Sequence, residues 1–248
     1  MWLSSRLLVE DENTMRYRRQ LPTIGERGQR RLRGSTVAVV GVGGLGCVAA
    51  TYLTAAGIGR IFIIDRDVVE ESNLNRQFLY GTSDIGKPKA DVAAERLREL
   101  NPDVDVIASQ VDVNGNNIMD LIAEVDLVVD GLDNWKSRFA LNDACVRMGV
   151  PYVHAGVSGF RGQLTVIAPG RGPCLRCIFK EVEEERSSPI LGPVAGAIGS
   201  LEAMEAIKLI TETGEPLIGR LLLFDGRSLD FEIIRVERDP ECPICSSI

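Results

Sequence analysis

The sequence predicts an α/β fold, a Rossmann-like, doubly wound and mostly parallel sheet continuing into a smaller antiparallel extension. Three observations carry that expectation. From about residue 35 to residue 160, short apolar runs alternate with helix-length segments, the pattern of βαβ units. The 248 residues are 45% hydrophobic yet only 5% aromatic, so the core is built from Val, Ile, Leu and Ala, as in a sheet buried on both faces. After residue 160 the runs are separated by turn signals instead of helices, which is antiparallel patterning.

The elements follow in order. Residues 13 to 34 read as a basic helical lead-in containing Arg16, Arg18, Arg19, Arg27, Arg30, Arg31 and Arg33, a charge pattern that a solvated helical face explains. Residues 36–41 (TVAVVG) are a strand, 43–57 a helix whose small residues face the sheet, and 60–65 (RIFIID) a strand. Residues 87–102 form an amphipathic helix closed by Asn101-Pro102. A strand is expected over 103–113, a helix over 117–125, and a strand over 126–133. A helix over 134–149 and a strand over 151–159 complete the nucleotide-binding half, about 35–160. The extension, about 161–248, contributes a strand at 161–170, a small-residue-rich helix at 192–211 and a strand pair within 219–238. Residues 180 to 189, KEVEEERSSP, are too acidic for a sheet and read as a loop. The whole chain, 1–248, reads as a single domain without internal repeats.

Charge narrows the function. With 35 acidic and 28 basic residues the net charge is −7, which argues against a general nucleic-acid binder. No apolar run reaches the ~18 residues of a membrane span. The first 20 residues carry too short an apolar run, followed directly by acids, for a signal peptide. A cytoplasmic protein with neither nucleic-acid nor membrane partner is expected.

The stretch GVGGLG, with Gly41, Gly43, Gly44 and Gly46, follows a strand and opens a helix, and Asp65 ends the next strand. Glycines let a backbone approach phosphate oxygens, the helix N-terminus supplies amide donors, and the carboxylate accepts ribose hydroxyls. A tight turn that needs glycine only for packing is the plainer alternative. Nothing in this motif separates a dinucleotide from another nucleotide.

The next segment does. It places Asn73, Asn75, Arg76, Gln77 and Lys89 just beyond the ribose strand. Two cations suit a triphosphate and its transition state, and a hydride-transfer site has no use for them. Read alone, Lys89 also fits an exposed lysine at a helix start. Asp130 and Asp133 close the fourth apolar strand, where carboxylates line a ligand crevice. Asp130 suits a cap or local hydrogen bond, and Asp133 is the better Mg²⁺ ligand, although it could instead cap the helix that follows. The C-x-x-C pairs Cys174/Cys177 and Cys242/Cys245 supply four thiolates, a closed tetrahedral set for structural Zn²⁺, with a redox pair or disulfides as the alternative. Cys47 and Cys145 read as small buried hydrophobes in helices.

Taken together, RYRRQ, GVGGLGC, DRDVVEESNLNRQFL, GKPKA, DGLDN, PCLRC, GSLEAMEAIK and CPIC resemble the ThiF/MoeB/HesA family, the ubiquitin-activating-enzyme-like adenylyltransferases. The likeness runs from about residue 13 to the C-terminus and keeps the family's motif order and spacing. It implies ATP and Mg²⁺ as ligands and a ubiquitin-fold sulfur-carrier protein ending in Gly-Gly as partner. The carrier carboxylate would attack the α-phosphate, giving an acyl-adenylate and pyrophosphate.

Carried over by position, Gly44, Asp65, Ser72, Asn73, Leu74, Asn75, Arg76, Lys89, Asp133 and Asn134 match the family's ATP site. Arg76 and Lys89 would sit on the phosphates and Asp133 on Mg²⁺. Arg19 matches an arginine that reaches the partner's phosphates across a homodimer interface. One departure stands out: the segment after the first cysteine pair has no cysteine for a covalent carrier intermediate. Nearby Ser187 and Ser188 are poor replacements. Plain adenylylation, with sulfur from a separate donor protein, is therefore expected, as in MoeB-like members, for a molybdopterin, thiamin or tRNA-thiolation carrier. Two alternatives remain at this point, a catalytically silent adaptor for a ubiquitin-like tail and an NAD-dependent oxidoreductase.

Overall fold

A computed structural model of the chain describes residues 12–180, 182 and 189–246. A helical arm comes first, α1 (Glu12–Tyr17) and α2 (Leu21–Gly34), the latter broken at Gly25, whose φ is +70°. There follow β1 (Thr36–Val40), α3 (Gly44–Ala56), β2 (Arg60–Ile64), α4 (Lys89–Leu100), β3 (Asp105–Ser109), α5 (Ile118–Leu121), β4 (Leu127–Asp130), α6 (Trp135–Met148) and β5 (Tyr152–Ser158). The remainder is β6 (Arg161–Ile167), α7 (Leu175–Ile178), α8 (Gly192–Thr211), β7 (Arg220–Asp225) and β8 (Asp230–Arg235).

Among the described residues, eight strands form one sheet, ordered β3-β2-β1-β4-β5-β6-β7-β8. The first five are parallel, and β5 through β8 are joined antiparallel, one to the next. The expected extension is thus the antiparallel side of the same sheet. β1 lies between β2 and β4, so chain order reverses there and a crevice opens beyond the carboxyl ends of both.

Strand alternation divides the core. Val37 and Val39 of β1 face the side covered by α2, α3, α4 and α8, while Ala38 and Val40 face α5, α6 and α7. Helix α3 follows its composition: Ala49, Ala50 and Leu53 are fully buried, and α8 comes so close that a side chain on Gly199 would meet the Leu45 carbonyl.

Two elements depart from expectation. β3 covers only 105–109 of the predicted 103–113, because its partner β2 ends at Ile64, opposite Ser109. The helix expected over 117–125 is one turn, α5, after which Ala123 N–H and Val125 N–H bond back to Asp120 and Ile122 as tight turns. Most of the loop expected over 180–189, with Ser187 and Ser188, lies outside the described residues. Among the described residues, no helix is long and apolar enough to cross a membrane.

Candidate active site

The crevice is a cavity of about 980 Å³ at the carboxyl ends of β1, β2 and β4, extending along β5–β8. The glycine loop forms one wall. Gly41 has φ +90°, and a Cβ there would fall 2.5 Å from the Gly131 carbonyl, so both the conformation and the crossing of the β1 and β4 exits require glycine. Gly46 packs on the Gly41 carbonyl with no room for a side chain and does not line the cavity. Gly43 and Gly44 do line it. Gly43 caps α3 without a side-chain oxygen, so the first-turn N–H groups are left for an outside acceptor.

Asp65 accepts Val42 N–H at 2.8 Å on one carboxylate oxygen and Asp67 N–H at 2.8 Å on the other. Burial raises its pKa, against the pull of those two donors and of Lys89. It therefore ties the glycine loop to β2 and keeps one face toward the cavity. Lys89 is 6% exposed and pairs with Asp67 at 3.2 Å, which overturns the exposed-lysine alternative. Arg76 also lines the cavity, and its Nη1 donates to Ser72 O at 2.8 Å and to Asn75 Oδ1 at 3.0 Å.

The residues between Asp65 and Arg76 divide by role. Ser72, Asn73, Leu74 and Asn75 do not line the cavity. Ser72 and Asn75 hold Arg76, as just described. Asn73, 6% exposed, closes a 3₁₀ turn by accepting Glu70 N–H at 3.0 Å, and Leu74 packs on the core. Gln77 is buried at the cavity wall beside Gly43, and its Oε1 has no hydrogen-bond partner among the described residues.

Asp133 and Asn134 line the opposite wall. The cap of α6 is Asn134, whose Oδ1 accepts Ser137 N–H at 2.9 Å. That corrects the capping alternative for Asp133, whose exposed carboxylate is bonded only to its neighbour's amide, at 3.2 Å, among the described residues.

Asp130 does more than bond locally. It is fully buried and accepts Leu132 N–H at 2.9 Å, Tyr152 O–H at 2.5 Å and His154 Nδ1–H at 2.7 Å, with Arg138 Nε at 3.4 Å. Burial alone would raise its pKa, but Arg138, His154 and Tyr152 outweigh that and hold it low. His154 is also fully buried, and burial lowers its pKa although Asp130 opposes. The chain's only histidine is thus a neutral structural group beneath the site.

Several cavity residues escaped the sequence reading. Asp67 pairs with Lys89, while Arg66 pairs with Asp112 at 3.0 Å; Arg138, Arg161 and Gln163 also line the wall. The available signal was position, since Arg66, Asp67 and Asp112 all follow the carboxyl end of a parallel strand. Arg19 is exposed and does not line the cavity of its own chain.

On the α6 side, Cys174, Cys177, Cys242 and Cys245 bring their sulfurs within 4.8 Å of one another. The closest pairs are Cys177–Cys245 at 3.4 Å and Cys174–Cys242 at 3.6 Å, too long for disulfides. Four sulfurs about 2.3 Å from a tetrahedral zinc stand about 3.8 Å apart, so the set fits one such ion with no open position. Cys47 and Cys145 are fully buried in helices, as expected, and burial pushes the Cys47 thiol up to about 12.

The ThiF family pattern matches residues 17–244. The chain is 43% identical to the SAMP-activating enzyme E1 of Haloferax volcanii, over 93% of this chain and 88% of that protein. It is 42% identical to the sulfur carrier protein adenylyltransferase of Thermus thermophilus, over 94% and 91%. Among solved structures, E. coli MccB with ATP superposes with a TM-score of 0.85 at 27% identity, over 93% of this chain and 74% of that one.

Proposed function

The chain belongs to the ThiF family, and on that premise we propose that it is an ATP-dependent adenylyltransferase of a ubiquitin-fold sulfur-carrier protein. The observation that carries the proposal is one cavity where an uncapped glycine-loop helix, Arg76, Lys89 and Asp133 all converge. The names of the Haloferax and Thermus relatives support the same chemistry.

In this reading the ATP phosphates lie on the α3 amides between Arg76 and Lys89. The ribose lies against Asp65, and Asp133 is the carboxylate that would hold Mg²⁺, with Asn134 setting its direction. That ion would supply charge neutralisation at the phosphates. The carrier's terminal glycine carboxylate attacks the α-phosphorus. A new O–P bond forms while the bond to the leaving pyrophosphate breaks. The nucleophile is already ionised at neutral pH, so no general base is needed, and the buried neutral His154 is not asked to be one. Catalysis is then positioning and charge stabilisation by preset cations. Ser72 and Asn75 contribute by fixing Arg76.

The four-cysteine cluster serves as a structural zinc site. We read the protein as a homodimer in which Arg19 serves the partner's cavity, with sulfur supplied to the adenylate by a separate donor protein. Six cysteines without a disulfide among the described residues suit a reducing compartment such as the cytoplasm.

The test is direct. A carrier ending in Gly-Gly, incubated with the protein and ATP, should gain the mass of AMP and yield a hydroxamate with hydroxylamine. The same carrier with an amidated C-terminus should gain nothing. No adduct on any Gly-Gly carrier, with ATP binding confirmed, would overturn the proposal.

A further inference from the structure

Arg19 sits at a turn whose two feet are unusually well anchored. Gln20 N–H bonds to Tyr17 O at 2.9 Å, which leaves Arg18 and Arg19 at the apex. Both arginines are exposed, and among the described residues neither side chain has a hydrogen bond or ion pair. The residues on either side are held firmly.

Tyr17 is 2% exposed, and its ring covers Gly57, the left-handed cap of α3, where a Cβ would collide with it. Its hydroxyl accepts Asn101 Nδ2–H at 2.9 Å, and the same amide donates to Thr54 O at 2.8 Å. Gln20 Nε2 donates to Gln29 Oε1 at 2.6 Å and to Ala56 O at 2.8 Å, and Gln29 Nε2 donates to Ala56 O at 2.9 Å. Every one of these partners lies at the C-terminal end of α3, at that of α4, or within the arm itself. The glycine loop is at the other end of α3, 13 residues away, or about 20 Å of helix. No arginine at position 19 spans that distance to its own cavity.

We infer that Tyr17 and Gln20 are positioning residues for Arg19, a clasp that locks the arm to the far end of α3 and presents Arg19 rigidly to a second copy of the chain. The inference rests on the reading of Arg19 as acting in the partner's cavity. Its physical basis is preorganisation: a charged side chain delivered from a fixed turn loses little entropy on reaching the phosphates, whereas one on a frayed arm loses more.

The experiment uses carrier-dependent ATP–pyrophosphate exchange by the zinc-loaded protein. Gln20→Ala and the milder Tyr17→Phe should each lower kcat about tenfold, a smaller loss than Arg19→Ala, with zinc content and ATP binding kept. Each variant is then mixed with Asp133→Ala subunits under verified exchange. A mixed dimer has one site with an intact Asp133 and an intact partner clasp, so activity should rise to about a quarter of wild type, as it should for Arg19→Ala. Unchanged kcat in both variants would overturn the inference. So would a loss that Asp133→Ala subunits fail to complement while they do complement Arg19→Ala, because the clasp would then act on its own protomer. Failure to complement Arg19→Ala itself would instead remove the reading beneath it.

Discussion

At the scale of single residues, the side chains that the proposed function assigns to ligands also hold the site together. Asp65 was legible from its place at the end of β2, but its two bonds to Val42 and Asp67 amides were not, because they depend on how the glycine loop folds back. Asp67 was missed for the converse reason: only the fold reveals that it neutralises Lys89. Asp133 is the sharpest test at this scale. Asp133→Ala should abolish pyrophosphate exchange, with thermal stability and zinc content unchanged, because the cap of α6 belongs to Asn134. Residual exchange near the wild-type rate would remove Asp133 from the mechanism. Glu202 in α8 offers a second test, on stability. It is fully buried, among the described residues neither carboxyl oxygen has a hydrogen-bond partner, and burial, reinforced by Asp130, raises its pKa well above the carboxylate range. The unfolded chain releases that proton above about pH 4.5 while the folded chain keeps it, so its contribution is full below that pH and is lost as pH rises. Glu202→Gln should therefore raise the unfolding free energy at pH 7.5 by roughly 1–3 kcal/mol and leave it nearly unchanged at pH 4.5, as read from urea titrations. An equal effect at both pH values would contradict the assignment of a buried, protonated carboxyl.

At the scale of elements, periodicity located strands and helices well and their ends less well. β1, α3, β2, α4 and α6 lie where apolar spacing put them, since each buries a face against the sheet. β3 was overextended, because strand length is set by where the neighbour stops and not by local sequence. The cysteine pairs were legible from spacing alone, but the anchoring of α7 onto α6 was not. The cluster joins α7 to the tail after β8, and α7 is pinned to α6 through Leu175 N–H to Asn142 at 2.8 Å and Arg176 to Asp143 at 2.8 Å. Removal of zinc by a chelator should lower Tm by roughly 5–15 °C. Hydrogen exchange should rise first in residues 174–179 and 239–246. Uniform exchange across the whole sheet, or no change in Tm, would contradict a local structural clamp.

At the scale of the whole molecule, one twisted sheet does two jobs. Its parallel side opens a crevice at the β1/β4 reversal, and its antiparallel side lengthens that crevice along β6, β7 and β8; in the proposed reading the first part takes the nucleotide and the second the carrier tail. The parallel half was readable because each βαβ unit is local in sequence. The register of the antiparallel side was harder to foresee, since β6 and β7 pair across the whole of α7 and α8. The buried Asp130, Tyr152, His154 and Arg138 group under the crevice is likewise a product of tertiary contact, drawn from three separate elements. The measurement that bears most directly on the central claim is ATP–pyrophosphate exchange by the purified protein, with candidate carriers ending in Gly-Gly added one at a time. The account predicts exchange that depends on ATP and on one such carrier, and that disappears when the carrier's terminal carboxylate is blocked. Exchange indifferent to that carboxylate, or none with any Gly-Gly carrier despite bound ATP, would contradict it.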